Sequence, residues 1–362
     1  MLLATAGCSD EPAPASQHPP AETAAALPND EQLRATIDEV IDFTFEDRLL
    51  TSEVHAAWQI LHGVLAYGKR FEIGHEDQRV PALDWVLDGG NMNGWVMRPG
   101  SVGLRAVVEP GSNTGQGHED QWLAITSQAD VSLDRTIRVG EQTFTMADLV
   151  AQAKHDIFEG KEASWTLIGL SRYLPVDETW TAADGQQWSL ERIIAMEAEQ
   201  DLNSSACGGS HRLIGLTMAL AKYREQHPEA ELSGGWLASH DRIEAAIETA
   251  RRFQQPSGAF SVNYFARASN SPDLSAHLGA TGHTLEFLSL ALDDQRLREP
   301  WVTRAVVNLC ELLQNTRGVD LECGALYHAV HGLVLYRQRR FGPREDAAVG
   351  ATAGLSSSTQ VL

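Results

Sequence analysis

The stretch Cys207–Leu220, CGGSHRLIGLTMAL, holds a His followed by apolar residues at the second and fifth places: His211, Leu213 and Leu216. The same register returns at His62 (Val64, Tyr67), Trp165 (Leu167, Leu170), His283 (Leu285, Leu288) and His331 (Leu333, Tyr336). A sixth copy at His118 keeps Leu123 but has Asp120 at the second place. Successive anchors lie 56, 47, 46, 72 and 48 residues apart. That is the length of a helix pair, with insertions, so the chain reads as tandem helical hairpins.

The flanking segments agree. Leu33, Ile37, Val40, Ile41 and Phe45 recur at helical spacing, as do Val54, Trp58, Leu61 and Leu65, with Thr51 and Ser52 placed to cap between them. RVGEQTFTMADLV (138–150) and ADGQQWSLERII (183–194) share a Gly-containing turn, then Phe144 or Trp188, a capping Thr145 or Ser189, and apolar residues at helical spacing. One-sided helices thus alternate with nearly uniform apolar ones: 146–158 then 163–174, 189–203 then 210–224, 239–254 then 281–292, 298–314 then 323–338. Uniform apolarity predicts burial on most sides, and a one-sided helix predicts a cover outside it. Six such pairs predict an all-α double ring, an (α/α)6 toroid. Residues 69–116, rich in Gly, Trp and Asn, predict irregular structure or short strands, and 256–277 reads as a long inserted loop.

Composition narrows the partners. With 49 acidic against 28 basic side chains the net charge is -21. Such a chain repels phosphate backbones, and no Lys/Arg cluster offsets this, so nucleic acid is excluded as an expected partner. Residues 1–8, ending in small residues before Cys8, read as a truncated lipoprotein signal whose Cys8 would carry the lipid and place the protein in the cell envelope, outside the cytoplasm. Residues 9–30 form a Pro/Ala-rich linker, 31–342 the folded toroid domain and 343–362 a polar tail.

The repeat pattern resembles the (α/α)6 toroid of the terpenoid cyclase and protein prenyltransferase superfamily. Gln254, Gln255, Gly258 and Phe260 resemble the Gln…Gly-aromatic repeat motif of squalene cyclases, which ties the end of an outer helix to the next turn. CGALYHAVHGL, with Tyr327 and His328, is similar to the late inner helix of prenyltransferase β-subunits that supplies a zinc-binding His. The chain lacks the Asp-x-Asp-Asp acid motif and the Asp-x-Cys pair, having only Asp320 and Cys323. The resemblance therefore implies a fold, and neither cyclisation nor prenyl transfer.

Chemistry is expected where the inner helices begin. His62, His118, His211, His283 and His331 occupy equivalent positions and would converge on one end of a central cavity, suited to proton transfer or zinc. His118, Glu119, Asp120, His211, His283 and Glu286 are the candidate acid/base set. Cys207, His211, His283, Cys323, His328 and His331 are the candidate metal ligands, the two Cys being equally readable as buried thiols or a disulfide. GHEDQ occurs at 74–78 and again at 117–121. An enzyme with this cavity, and a non-catalytic module binding a glycan, lipid or peptide there, are the two functional expectations.

Overall fold

The computed structural model describes residues 26–109 and 117–344. The expected lipidation at Cys8 and most of the linker and tail lie outside them. The described residues form twelve α-helices and four small antiparallel β-hairpins. None of these helices is long and apolar enough to cross a membrane.

Six helices are buried nearly all round: α2 (Ala57–Tyr67), α4 (Gln121–Gln128), α6 (Ser164–Tyr173), α8 (Ser210–Gln226), α10 (Leu274–Ala291) and α12 (Cys323–Phe341). α2 packs on α4, α4 on α6, α6 on α8, α8 on α10, α10 on α12, and α12 again on α2. The other six are α1 (Asp30–Glu46), α3 (Ala82–Leu87), α5 (Met146–His155), α7 (Leu190–Glu199), α9 (Gly234–Phe253) and α11 (Pro300–Asn315). They are one-sided: α11 buries Val302, Ala305, Val306, Leu309 and Leu313 and leaves Arg304 and Glu311 outside.

α10 and α12 approach most closely. A Cβ on Gly282 would stand 2.6 Å from the Ala329 Cα, and one on Gly332 3.0 Å from the Gly282 carbonyl. Small residues at these places let two backbones touch, which brings side chains one turn further along into hydrogen-bond range.

The region read as irregular contains two hairpins, β1 (Glu72–His75) with β2 (Gln78–Pro81) and β3 (Trp95–Pro99) with β4 (Leu104–Val108). β5 (Thr136–Val139) pairs with β6 (Gln142–Thr145), and β7 (Thr179–Thr181) with β8 (Gln187–Ser189). Three of these hairpins lead without a gap into helices: β2 into α3, β6 into α5 and β8 into α7. The first of the three is the first GHEDQ copy, whose Glu76 and Asp77 form the hairpin turn between paired His75 and Gln78. The second copy runs into α4 instead, so the pentapeptide takes two unrelated conformations.

Other boundaries moved for local reasons. α2 starts at Ala57, and its cap is Ala56 with Gln59, whose Oε1 accepts the Ala56 N–H at 2.9 Å; Thr51 and Ser52 do not cap it. Val54 is exposed. α10 begins within the expected insertion because Asp273 accepts from the Ser275 and Ala276 N–H groups at 2.9 and 3.3 Å. The Gln254 amide donates to the carbonyls of Gly258 and Trp301, both at 2.8 Å, tying the end of α9 to the start of α11.

Candidate functional site

At the heads of the buried helices lies a cavity of about 300 Å³, walled by Trp58, His118, Trp165, Tyr264 and the imidazoles of His62, His211, His283 and His328. The head of α8 explains the CGG motif. Cys207, Gly208 and Gly209 follow one another in left-handed conformation, with φ of 53°, 61° and 83°. Gly208 has no alternative, since a Cβ there would fall 2.3 Å from the Tyr264 Cβ. Left-handed Cys207 costs about 1–2 kcal/mol, held by the surrounding packing. His211 follows in the first turn of α8.

Four of the histidines share one hydrogen-bonding habit. His283 Nδ1 donates to the Gly279 carbonyl at 2.7 Å, and His62 Nδ1 to the Trp58 carbonyl. His328 and His331 Nδ1 donate to the Glu286 carboxylate at 2.9 and 2.7 Å. Because carbonyl and carboxylate oxygens only accept, each Nδ1 carries the proton and each Nε2 keeps its lone pair. This is the arrangement that second-layer oxygens impose on metal-binding imidazoles. Among the described residues, His283 Nε2 has no hydrogen-bond partner, and neither nitrogen of His211 has one, although both residues are buried. Buried nitrogens left without partners are costly, so this is a place to look for a missing ligand.

Two groups have ligand atoms all within 4.8 Å of one another: Cys207, His211 and His283, and His283, Glu286 and His328. The His211 and His283 rings stand edge to face, 5.0 Å between centroids and 79° apart. Sulfur and nitrogen donors in this number suit zinc, at about 2.3 and 2.0–2.1 Å, after a small closure. They do not suit magnesium or calcium.

Electrostatics point the same way. Burial drives His211 well below its usual pKa, with neighbouring His283 and His328 adding to the fall. Burial likewise lowers His62, to about 4. Burial lowers His328 too, opposed by Glu286. In all three rings burial thus favours the neutral form, the one that can coordinate a metal. Burial would raise Glu286, but the His328 and His331 N–H groups outweigh it and hold the carboxyl well below its usual range. Burial would also raise the Cys207 thiol, and neighbouring His283 turns the balance downward. No Lys or Arg among the described residues makes an ion pair with Glu286, whose ion-pair contacts are His328 and His331. A divalent cation would supply positive charge beside this buried carboxylate and, at the half-buried Cys207, favour the thiolate.

The remaining expected residues fall elsewhere. His118 stays at the cavity wall, 5.8 Å from Trp165. Glu119 and Asp120 turn to Lys161, at 3.2 and 3.1 Å, beside a separate polar cavity of about 620 Å³. Cys323 Sγ accepts from Arg48 and Gln59 at 3.6 and 3.5 Å and belongs to neither ligand group. His331 serves Glu286. The three described Cys are free thiols. Sequence reasoning passed over Tyr264, whose only signal was an aromatic residue within the 256–277 insertion.

No family model, no curated protein and no solved structure matches the chain.

Proposed function

We propose that the chain is a zinc-dependent enzyme built on an (α/α)6 toroid and held in the cell envelope by a lipid on Cys8. The single observation that carries the enzymatic reading is the convergence of Cys207, His211 and His283 at a cavity, with buried nitrogens lacking partners. The toroid reading is supported by the packing order of the six buried helices, which returns to its first member. The tie from Gln254 to Trp301 agrees with the squalene cyclase-like motif.

Three protein ligands leave a fourth position for substrate or water, the habit of catalytic rather than structural zinc. Zinc bound there would polarise a substrate oxygen or acidify a water. The chain's own contributions are narrower. Glu286 fixes the tautomer of His328 and His331, and Trp58 and Trp165 offer flat apolar faces. Among the described residues no Lys or Arg lines the cavity and Glu322 does, so a neutral or cationic small molecule is favoured over an anion. A non-catalytic glycan-binding role is the second reading, favoured by those aromatic walls.

Elemental mass spectrometry of the purified protein tests the choice. Near-stoichiometric zinc, lost in a His283→Ala variant of unchanged helical content, is the expected result. No metal in the parent protein would overturn the enzymatic reading in favour of the binding module.

A further inference from the structure

His211 differs from the other buried histidines of the cavity. His62, His283 and His328 are each oriented by an oxygen at Nδ1, whereas neither nitrogen of His211 has a partner among the described residues. Its ring is held by packing instead. It stacks on Trp165, 4.2 Å between centroids and 33° apart, and meets His283 and His328 at 5.0 and 5.3 Å. Such packing holds only while the heads of α6 and α8 keep their distance, and one buried pair of charges ties those heads together. Glu197, on α7, accepts the Ala163 N–H at 2.8 Å and the Ser164 hydroxyl at 3.1 Å, from the two residues just before Trp165. The same carboxylate accepts from Nε of Arg212 at 2.8 Å, the residue just after His211, and Arg212 Nη1 donates to the Asp201 carbonyl at 2.8 Å. The Arg212 and Glu197 side chains are 2% and 0% exposed. One turn along from His211, a Cβ on Gly215 would stand 3.0 Å from the Ser164 carbonyl, so the two backbones touch there.

We propose that Glu197, Arg212 and Trp165 are positioning residues of the metal centre: the ion pair sets α8 against α6, the stack on Trp165 sets the His211 ring, and together they do for this ligand what an oxygen does for its neighbours. This rests on the metal-centre reading above. A buried ion pair adds little net stability over apolar side chains of similar volume, but its directional hydrogen bonds specify how the elements that carry it meet. Outer contacts that orient a ligand contribute to metal affinity in turn.

The test uses the full chain with cobalt(II) as probe, read by its ligand-field absorption bands and by competition with a chelating dye. The parent is expected to bind cobalt, and His211→Ala to change the bands. The double variant Glu197→Gln/Arg212→Met keeps an oxygen for the Ala163 N–H and removes both charges together. It is expected to fold, to shift the bands and to weaken cobalt binding about 10–100-fold. Trp165→Leu, which removes the stack and keeps the ion pair, is expected to do the same, and carries the test alone where the double variant does not fold. Leu309→Ala, which opens a cavity in α11 and lowers stability, is expected to leave the bands unchanged. A parent that takes up no cobalt, or bands that His211→Ala leaves unchanged, overturn the metal centre as described and this proposal together. Bands that depend on His211 but are left unchanged by Trp165→Leu or by a folded double variant, or are moved equally by Leu309→Ala, overturn this proposal alone.

Discussion

The imidazoles of His283 and His328 lie face to face, 3.7 Å between centroids and 30° apart. A metal sits in the plane of the ring that binds it. Stacked rings therefore present their lone pairs side by side, whereas His211 and His283 meet edge to face, 5.0 Å between centroids. His283 belongs to both candidate ligand groups, and His328 to only one of them.

It follows that the two stacked histidines will not weigh equally. His283→Ala is expected to abolish zinc binding, and His328→Ala to weaken it about 10–100-fold, the scale of an outer-layer loss. Zinc affinities from competition with a chelating dye measure both; equal losses would place His328 among the ligands.

Glu286 holds two N–H groups with one carboxylate. Oε1 accepts from both His328 and His331, at 3.0 and 2.7 Å, and Oε2 from His328 at 2.9 Å, so Glu286→Gln sets a buried amide N–H against the His328 donor. A stability loss of about 1–3 kcal/mol in the metal-free protein is expected, from urea unfolding at neutral pH. Zinc affinity should fall in the same variant, since the remaining amide carries no charge.

The buried neutral histidines make the metal-free protein acid-sensitive. His62 titrates near 4 when folded and near 6.5 when unfolded, so between those values the unfolded chain binds the extra proton. Stability therefore falls as pH drops from about 6.5 to about 4. For His62 alone the loss is on the order of 3 kcal/mol at about 1.4 kcal/mol per pKa unit. Urea midpoints across this window should slope less steeply in His62→Gln than in the parent; parallel slopes would contradict the assignment.

Gly282→Ala tests the close approach that builds the site. Its new methyl would lie 2.6 Å from the Ala329 Cα, a backbone atom that cannot swing aside. A loss of about 1–3 kcal/mol or more is expected from forcing α10 and α12 apart. Gly140→Ala meets nothing within 4 Å, and at φ 60° pays only the left-handed penalty of about 1–2 kcal/mol. Thermal denaturation of the pair should rank Gly282→Ala lower, and should show reduced zinc binding only there.

The helical hairpins were legible because burial dictates periodicity: a helix covered on all sides is written as an apolar run, and a covering helix as a stripe. Starts and ends were read less well, since a cap such as Gln59 on Ala56, or Asp273 ahead of α10, depends on one hydrogen bond that many residues can make. The third hairpin-to-helix unit, β1–β2–α3, was hidden because Val80, Pro81 and Ala82 carry little of the Phe-Thr-Met or Trp-Ser-Leu signature. In its place the GHEDQ repeat drew attention, and its two copies adopt a hairpin turn and a helix entry.

By itself, the amino-acid sequence determined the alternation of buried and covering helices and the set of histidines at their heads, for both follow from local spacing. Only the tertiary structure decided which of them meet. Cys207, His211 and His283 converge, while Cys323 turns to Arg48 and Gln59, and Glu119 and Asp120 turn to Lys161. Convergence depends on how closely helices far apart in the chain approach and how each is rotated about its axis. Those quantities are set by contacts such as Gly282 on Ala329, between residues whose spacing in the chain carries no periodic signal.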